Sequence, residues 1–289
     1  MKSNSKKHPI IIVGMARSGT TLVSHILGTL PGTHIEVEPH ALWKSGNFKY
    51  LNDEDYDINE EIIHNIRHKL TTHLNGNMLV EKSPINSLRP NLVHAVFPEA
   101  KIVYIERDPV RCIHSNYNRS LKKDSFKLSI VLKKYFIYTG SEDLSGAISN
   151  RKLFQQISFK DIPQFLKYSV NMFYLRQFSV LPFGPKVKNF VNIVKEKGLL
   201  GYHVEVYKKS IYYKQLYKDL YGDKMEVFRM EKIMTDKSEI KRMIDFANMP
   251  YTKEWGDYIQ HSLNKDRIDL AVKTQWEVDS KIEQLLVTS

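Results

Sequence analysis

Short apolar runs alternate with segments of helical length along the first part of the chain. The runs are almost continuously aliphatic, which is typical of strands buried on both faces of a sheet, and the segments between them are long enough for three turns of helix. We predict strands at residues 9–13, 78–81 and 101–106, and helices at residues 20–30, 86–96 and 110–121. This alternation predicts a central parallel sheet flanked by helices, in an α/β three-layer sandwich.

The later part of the chain continues the pattern less regularly. Residues 186–221 have a helical pattern that ends at Gly222, a residue type suited to a helix C-cap, and we predict a strand at 225–229 and a helix at 236–247. Residues from about 122 to 184 are rich in Lys, Phe, Tyr and Ser without a clear period, which indicates a helical or irregular insertion. No repeat or linker-like composition divides the chain, so we expect residues 1–289 to form one domain.

The net charge and the cysteine content indicate which kinds of partner and which cellular compartment to expect. The 289 residues carry a formal net charge of +11, which favours an anionic partner and allows peripheral contact with an anionic membrane surface. Cys112 is the single cysteine, so an intrachain disulfide is excluded and we expect a cytoplasmic protein. The apolar run at residues 10–13 is too short for a membrane-spanning helix or a convincing secretory signal.

The first predicted strand leads into a turn that is suited to bind phosphate. Gly14 and Gly19 allow tight backbone geometry, and the helix that follows has free N–H groups and a positive dipole end in its first turn. The spacing resembles a Walker A loop, but Thr20 stands where the lysine should follow the second glycine, and Arg17 is the basic residue of the turn. This arrangement disfavours an ordinary ATPase or kinase.

A second strand, turn and helix follow at residues 101–115. Arg107 ends the predicted strand, and Pro109 suits the first position of a helix. Ser115 lies eight residues after Arg107, about two helical turns along, so a guanidinium and a hydroxyl are expected to converge on a further phosphate group.

Together these two motifs resemble the donor site of the sulfotransferase superfamily, whose donor is 3′-phosphoadenosine 5′-phosphosulfate. The run from Arg17 to Thr21 looks like the 5′-phosphosulfate loop, and the Arg107 and Ser115 pair looks like the 3′-phosphate site. The resemblance covers residues 9 to about 120, is nearer the bacterial and Golgi-type carbohydrate and protein-tyrosine enzymes than the cytosolic ones, and implies a P-loop nucleoside-triphosphate-hydrolase-like fold. The donor-binding residues that it implies in this region are Gly14, Arg17, Ser18, Gly19, Thr20, Thr21, Arg107 and Ser115.

The resemblance also suggests which groups act on the transferred sulfuryl group. Arg17 would serve the bridging and leaving oxygens, and Lys82, at the end of a predicted strand, matches a basic position beside the sulfuryl group in some relatives. Glu38 resembles the glutamate that activates the acceptor hydroxyl in Golgi-type enzymes, while His40 is the alternative because cytosolic relatives use a histidine. The sequence leaves the choice between Glu38 and His40 open.

Further contacts to the donor follow from the resemblance alone. Tyr202 and Tyr207 fall in the helix where relatives place contacts to the adenine. Lys265 and Arg267 lie late in the chain, where a C-terminal basic loop closes over the 3′-phosphate in cytosolic relatives, although the Arg-Lys-Gly of that family is missing here. Sulfotransferase relatives need no metal, because the cations of the protein neutralise the transferred group.

The acceptor and two rival functions remain to be distinguished. The resemblance favours a saccharide hydroxyl, on a glycolipid or a surface polysaccharide, and no nucleic acid; a small alcohol, a phenol or a peptide tyrosine is the alternative. A P-loop nucleotide kinase or NTPase needs the missing lysine and an acidic strand end that binds magnesium, whereas the later strand ends present Lys82 and Arg107. A polyanion-binding protein without catalytic activity would have its basic residues spread along one face, not in turns after strands.

Overall fold

Parallel strands form one sheet in the computed structural model, which describes residues 8–121, 148–149, 156–178, 181–253, 255–257, 259 and 276–287. The strands are β1 (Ile10–Gly14), β2 (Thr33–Val37), β3 (Met78–Lys82), β4 (Lys101–Glu106), β5 (Ile148–Ser149) and β6 (Met225–Arg229). Their order across the sheet is β5-β2-β3-β1-β4-β6, and each pairing between neighbours is parallel. The carboxyl ends of the strands therefore lie along one edge, where ligands of such sheets bind.

Helices cover both faces of this sheet. One layer packs on Ile10 and Ile12 of β1, and the opposite layer packs on Ile11 and Val13, because successive side chains of a strand point to opposite faces. The helices that the structure describes are α1 (Thr20–Gly28), α2 (His40–Trp43), α3 (Glu60–Thr71), α4 (Pro90–Val96), α5 (Pro109–Leu121), α6 (Ile162–Gln177), α7 (Phe190–Tyr221), α8 (Met230–Thr235), α9 (Lys237–Phe246) and α10 (Trp276–Val287). The first layer includes α1, α8 and α9, and the second includes α2, α3, α4 and the end of α7.

The predicted fold class is confirmed, since a parallel sheet lies between two layers of helices. The strand at residues 101–106 has the predicted bounds, and the strand at 225–229 does as well. Gly222 is the C-cap of α7, with φ of 57°, in agreement with the glycine signal. The expectation that residues 1–289 form one domain stays a prediction.

Two predicted helices differ in the structure, and several elements were not predicted. The helix predicted at residues 86–96 is a 3₁₀ turn, Pro84–Leu88, followed by α4, because Pro90 has no N–H to continue the first helix. The long helix begins at Phe190 instead of 186 and is interrupted at Gly198, whose φ of 69° and ψ of 178° are not helical. β2 and α3 were not predicted, and α6 lies within the segment predicted as an insertion.

No helix among the described residues has the length and hydropathy needed to cross a membrane.

Candidate active site

The loop between β1 and α1 lies at the carboxyl edge of the sheet. Its tight path depends on Gly19, which has a φ of 101° and would place an added Cβ 2.3 Å from the Sδ atom of Met230. α1 begins at Thr20. Its N-cap residue is Gly19, so no side chain caps the N-terminus, and the first turn of the helix has no acidic residue. The N–H groups of a first helical turn have no partner inside the helix, so this end attracts an anion.

Ser18 supports the same interpretation. Its hydroxyl oxygen is buried and has no hydrogen-bond partner among the groups that the structure describes. A buried polar group without a partner is costly in a folded protein, which suggests that the partner is a ligand. The exposed side chain of Arg17 follows the same turn, so a hydroxyl, a guanidinium and a helix N-terminus converge here.

The second motif forms the turn between β4 and α5. α5 begins at Pro109 as predicted, and the Asp108 carboxylate accepts a hydrogen bond of 2.9 Å from the Arg111 N–H. The Asp108 N–H in turn donates to Glu231 Oε1 on α8, at 2.9 Å. These bonds fix the backbone immediately after Arg107, where the sequence predicts a second phosphate-binding group.

Arg17 joins the two motifs directly. Its Nε donates to the Ser115 hydroxyl at 3.0 Å, and its carbonyl oxygen accepts a hydrogen bond of 2.9 Å from Arg107 Nη1. Residues 98 and 90 positions apart in sequence are thereby held in one cationic cluster. The cluster brings together Arg17, Arg107 and Ser115, which the sequence had assigned to one donor.

Glu38, Lys82 and His40 form a second cluster at the same edge of the sheet. Val37 pairs with Lys82 across β2 and β3, so Glu38 follows its strand directly beside the lysine. Lys82 Nζ donates to Glu38 Oε1 at 2.5 Å, and His40 Nε2 lies 3.4 Å from Glu38 Oε2. The Lys82 side chain is only 2% exposed, whereas that of Glu38 is 37% exposed. The carboxylate is thus the accessible member of a largely buried ion pair.

Opposing effects act on the pKa of Glu38. Burial alone would raise this pKa, but the hydrogen bond from His40 and the charge of Lys82 outweigh burial and hold the pKa well below its usual range. The carboxylate is therefore ionised at neutral pH. While Lys82 and His40 both contact the Glu38 carboxylate, the carboxylate is also a weak base. Its basicity therefore depends on whether the Lys82 ammonium group points toward it.

Backbone strain marks both clusters. Arg17 has a φ of 68° and Glu38 a φ of 54°, in the left-handed region that side chains other than Asn and Asp rarely adopt. The remaining non-glycine residues of the described chain with positive φ are Asn75, Asn189 and Asn248, which tolerate it. Strain of this kind collects at functional sites, and it was not visible in the sequence.

The two predicted adenine contacts occupy different surroundings. Tyr202 is fully buried; its hydroxyl donates to the Pro185 carbonyl at 2.8 Å and accepts from the Val187 N–H at 3.3 Å. Its ring packs in the apolar cluster that contains Val187 and Phe190, so it offers no surface to a ligand in this structure. Tyr207 instead lines a small cavity that also borders Ser18 and Arg107.

The remaining donor-binding residues predicted from the sequence lie partly in the first loop and partly outside the described residues. Gly14 ends β1, where an added Cβ would lie 2.7 Å from the Ile105 carbonyl oxygen, and Thr20 and Thr21 open α1. Lys265 and Arg267 lie outside the described residues. Two residues directly after β6 support the site, since Met230 packs against Gly19 and Glu231 holds the turn after Arg107.

A family model matches part of the chain, independently of these contacts. Residues 47–145, about a third of the chain, match the model described as the sulfotransferase family. Over this segment the chain is similar to the sulfotransferase family. The matched segment contains Lys82, Arg107 and Ser115, and the hydrogen bonds of Arg17 connect it to the loop between β1 and α1. No curated protein is a significant match to the chain.

Solved sulfotransferases resemble the structure only distantly. The mouse sulfotransferase SULT7A1 complexed with PAP is 11% identical with a TM-score of 0.44, over 98% of this chain and 75% of that chain. A sulfotransferase from Alicyclobacillus acidocaldarius is 15% identical with a TM-score of 0.46, over 96% and 91% of the two chains. The sulfotransferase domain from the curacin biosynthetic pathway is 14% identical with a TM-score of 0.48, over 96% and 97%. Likeness at this level leaves the donor, the acceptor and the residue roles to be argued from this chain.

Proposed function

We propose that this sulfotransferase transfers the sulfuryl group of 3′-phosphoadenosine 5′-phosphosulfate to a hydroxyl of a saccharide or glycolipid, in the cytoplasm. The observation that carries the proposal is the cluster in which Arg17 contacts both Ser115 and Arg107. A donor with phosphate groups at both ends of its ribose needs two anion sites a short distance apart. The cluster supplies them without an acidic side chain among its three members.

The residues present fit this donor. The uncapped N-terminus of α1 and the unpartnered Ser18 hydroxyl suit the 5′-phosphosulfate, because both offer donors to an anion. Arg107 and Ser115 suit the 3′-phosphate, since their present partners lie within this protein and can be exchanged for phosphate oxygens. The formal net charge of +11 favours binding of such a polyanion.

The Glu38 cluster suits the acceptor side of the reaction. In our proposal the Glu38 carboxylate accepts the proton of the acceptor hydroxyl, and Lys82 neutralises charge on the sulfuryl oxygens. When the Lys82 ammonium group turns to those oxygens, it leaves Glu38, and the pKa of the carboxyl rises toward a value useful for a base. A saccharide hydroxyl is the acceptor that the family resemblance favours.

Donor binding without a metal tests this function against a nucleotide kinase or NTPase. Because Thr20 stands where a Walker lysine would be, the protein should bind 3′-phosphoadenosine 5′-phosphate in EDTA, and far more tightly than it binds ATP. Isothermal titration calorimetry of the two nucleotides, with EDTA and then with magnesium, makes the comparison. Magnesium-dependent binding of ATP with equal or greater affinity would rule out the proposed donor.

Replacing Arg107 should weaken donor binding specifically through the 3′-phosphate. Arg107→Ala should cost about 1.5–3 kcal/mol of binding free energy, the usual contribution of a charged hydrogen bond. Calorimetry with 3′-phosphoadenosine 5′-phosphate and with adenosine 5′-phosphate should show that the preference for the first ligand falls in the variant.

Arg111→Ala is the matched control, because it removes the same charge from an exposed position four residues further along, in α5. It should bind both nucleotides as the wild-type protein does. If Arg107→Ala keeps the wild-type preference for the 3′-phosphorylated ligand, the 3′-phosphate site has been assigned to the wrong residue.

A further inference from the structure

A buried carboxylate holds the end of the short helix that begins at His40. The indole Nε1 of Trp43 donates to Glu81 Oε1 at 2.8 Å, and the Asn86 amide donates to Glu81 Oε2 at 3.2 Å. Trp43 and Glu81 are both fully buried. Arg89 Nη1 also donates to the Trp43 carbonyl oxygen at 3.0 Å. Since α2 has only four residues, fixing its last residue also fixes its first.

Glu81 and Lys82 act on the two ends of one segment. They are successive residues of β3, so their side chains point to opposite faces of the sheet. The Lys82 ammonium group binds the Glu38 carboxylate, and the Lys82 carbonyl oxygen accepts the Glu38 N–H at 2.7 Å. Glu81 binds Trp43 on the other side. The segment from Glu38 to Trp43 is therefore attached to the end of β3 at both of its ends.

The backbone of Glu38 depends on such attachment. Its φ of 54° lies in the left-handed region, and a strained conformation of this kind persists only where the surrounding structure fixes it. The Glu38 carbonyl oxygen accepts the His40 N–H at 2.7 Å, and the Pro39 carbonyl oxygen accepts the Trp43 N–H at 3.1 Å. A displacement of Trp43 is therefore passed along the backbone to His40 and Glu38.

We propose that Glu81 is a positioning residue, which acts through the Trp43 indole to hold the Glu38 carboxylate and the His40 ring in the geometry that proton transfer needs. Glu81 is fully buried, so it does not contact the donor or the acceptor itself. The inference rests on the proposed function, in which Glu38 accepts the proton of the acceptor hydroxyl.

The positioning requires hydrogen-bond acceptors and not a negative charge. Burial, with a smaller contribution from the Glu36 carboxylate, raises the pKa of Glu81 to about 7, so the neutral carboxyl is tolerated at this place. Asn86 Oδ1 is buried and has no hydrogen-bond partner among the described groups, so it is available to a donor. Glu81→Gln therefore keeps the arrangement: its amide oxygen accepts from Trp43, and its amide N–H donates to Asn86 Oδ1 once the Asn86 amide turns over.

Steady-state kinetics of four variants of the full chain test the proposal. Trp43→Phe keeps an aromatic ring but removes the N–H, and Glu81→Leu removes both acceptors. Each should lower kcat by about tenfold to a hundredfold, the effect of a misplaced reacting group, and leave the affinity for 3′-phosphoadenosine 5′-phosphate unchanged. Glu81→Gln should keep nearly the wild-type kcat. A Glu81→Gln enzyme as slow as Glu81→Leu would overturn the proposal.

Trp255→Phe is the matched control for Trp43→Phe. The Trp255 indole Nε1 donates to the Thr29 hydroxyl at 2.9 Å, and Trp255 packs in the helix layer on the opposite face of the sheet from Trp43. This variant loses the same kind of hydrogen bond, away from Glu38, and should keep the wild-type kcat. Equal losses of kcat in the two variants would overturn the proposal.

A double variant tests whether Trp43 acts through the base. In a Glu38→Gln background, Trp43→Phe should reduce kcat little further, because the orientation of a group that no longer accepts the proton has no effect on the rate. The same fold-loss in both backgrounds would overturn the proposal, since Trp43 would then act by a route that does not include Glu38.

The ring signals of His40 in NMR spectra give a readout that does not need activity. They are assigned in the histidine-labelled protein by their loss in His40→Asn. Glu81→Leu should move them, because α2 shifts, and Glu81→Gln should leave them in place. His40 signals that stay unmoved in Glu81→Leu would overturn this inference. Signals that move as expected, in a protein that transfers no sulfuryl group, would contradict the proposed function alone.

Discussion

Glu38→Gln should lower the turnover number of the proposed sulfuryl transfer by about 10²–10⁴ while donor affinity stays nearly unchanged. The amide keeps the shape of the side chain and part of its hydrogen bonding to Lys82 and His40, but it cannot accept the acceptor proton. Donor affinity should persist because the cluster around Arg17 does not include Glu38. Steady-state kinetics with radiolabelled donor, and calorimetry with 3′-phosphoadenosine 5′-phosphate, measure the two quantities separately.

His40→Asn is the comparison that assigns the base. His40 Nε2 is 3.4 Å from Glu38, so a supporting histidine orients the carboxylate, and its loss should cost much less than the loss of Glu38. The pH dependence of the wild-type rate gives a second criterion. In kcat/KM, which reports the free enzyme, a carboxylate base with a lowered pKa puts the acidic limb below about pH 4, whereas a histidine base would put it at about pH 6–7. A nearly active Glu38→Gln, an inactive His40→Asn and a limb near the histidine range would transfer the role to His40.

The sheet could be predicted because its strands carry their own signals. β1 and the centre of β4 are runs of buried aliphatic and aromatic residues, and such runs have few alternatives to a buried strand. β2 escaped prediction because its sequence, Thr-His-Ile-Glu-Val, contains polar residues. Glu36 is nevertheless buried there, with the His34 ring nitrogen 3.1 Å from its carboxylate. Because the sequence does not show that these polar residues pair inside the protein, the segment resembles an exposed one.

Sheet topology explains why Glu38 and Lys82 lie near each other, but it does not explain their ion pair. Parallel strands end at one edge of a sheet, so residues at the ends of the neighbouring strands β2 and β3 lie close together. The ion pair depends on the left-handed backbone of Glu38 and on the burial of Lys82, and both come from tertiary packing. The same is true of the hydrogen bond between Arg17 and Ser115, which are 98 residues apart.

The different surroundings of Tyr202 and Tyr207 could not be predicted from the sequence. It and Tyr207 share α7, and sequence spacing alone gives no reason to prefer one of them. The rotation of α7 buries Tyr202 against Val187 and turns Tyr207 toward the cavity beside Arg107. Since apolar and polar residues are spread around this helix, its sequence does not indicate which side faces the core.

Lys82→Met should lower turnover by about 10²–10³, the effect of removing one donor to developing charge, and should also move the acidic limb of the rate upward. In the wild type, the charge and hydrogen bond of Lys82 help to hold the pKa of Glu38 down against burial. Without the charge and hydrogen bond of Lys82, burial has a larger net effect, and the pKa of Glu38 should rise. A carboxylate base must be deprotonated, so the variant should lose activity at a higher pH than the wild type does as the solution is acidified.

Lys44→Met is the matched control for this change. Lys44 is also a buried lysine that pairs with a carboxylate, since its Nζ lies 3.2 Å from Asp53 Oδ1, but that pair is separate from Glu38. Both variants should lose thermal stability, because each leaves a carboxylate without its lysine. Only Lys82→Met should shift the acidic limb, and adding Glu38→Gln to it should abolish the shift, because the titrating group is gone. A Lys82→Met enzyme with wild-type turnover and an unmoved limb would show that Lys82 acts on neither the sulfuryl group nor the base.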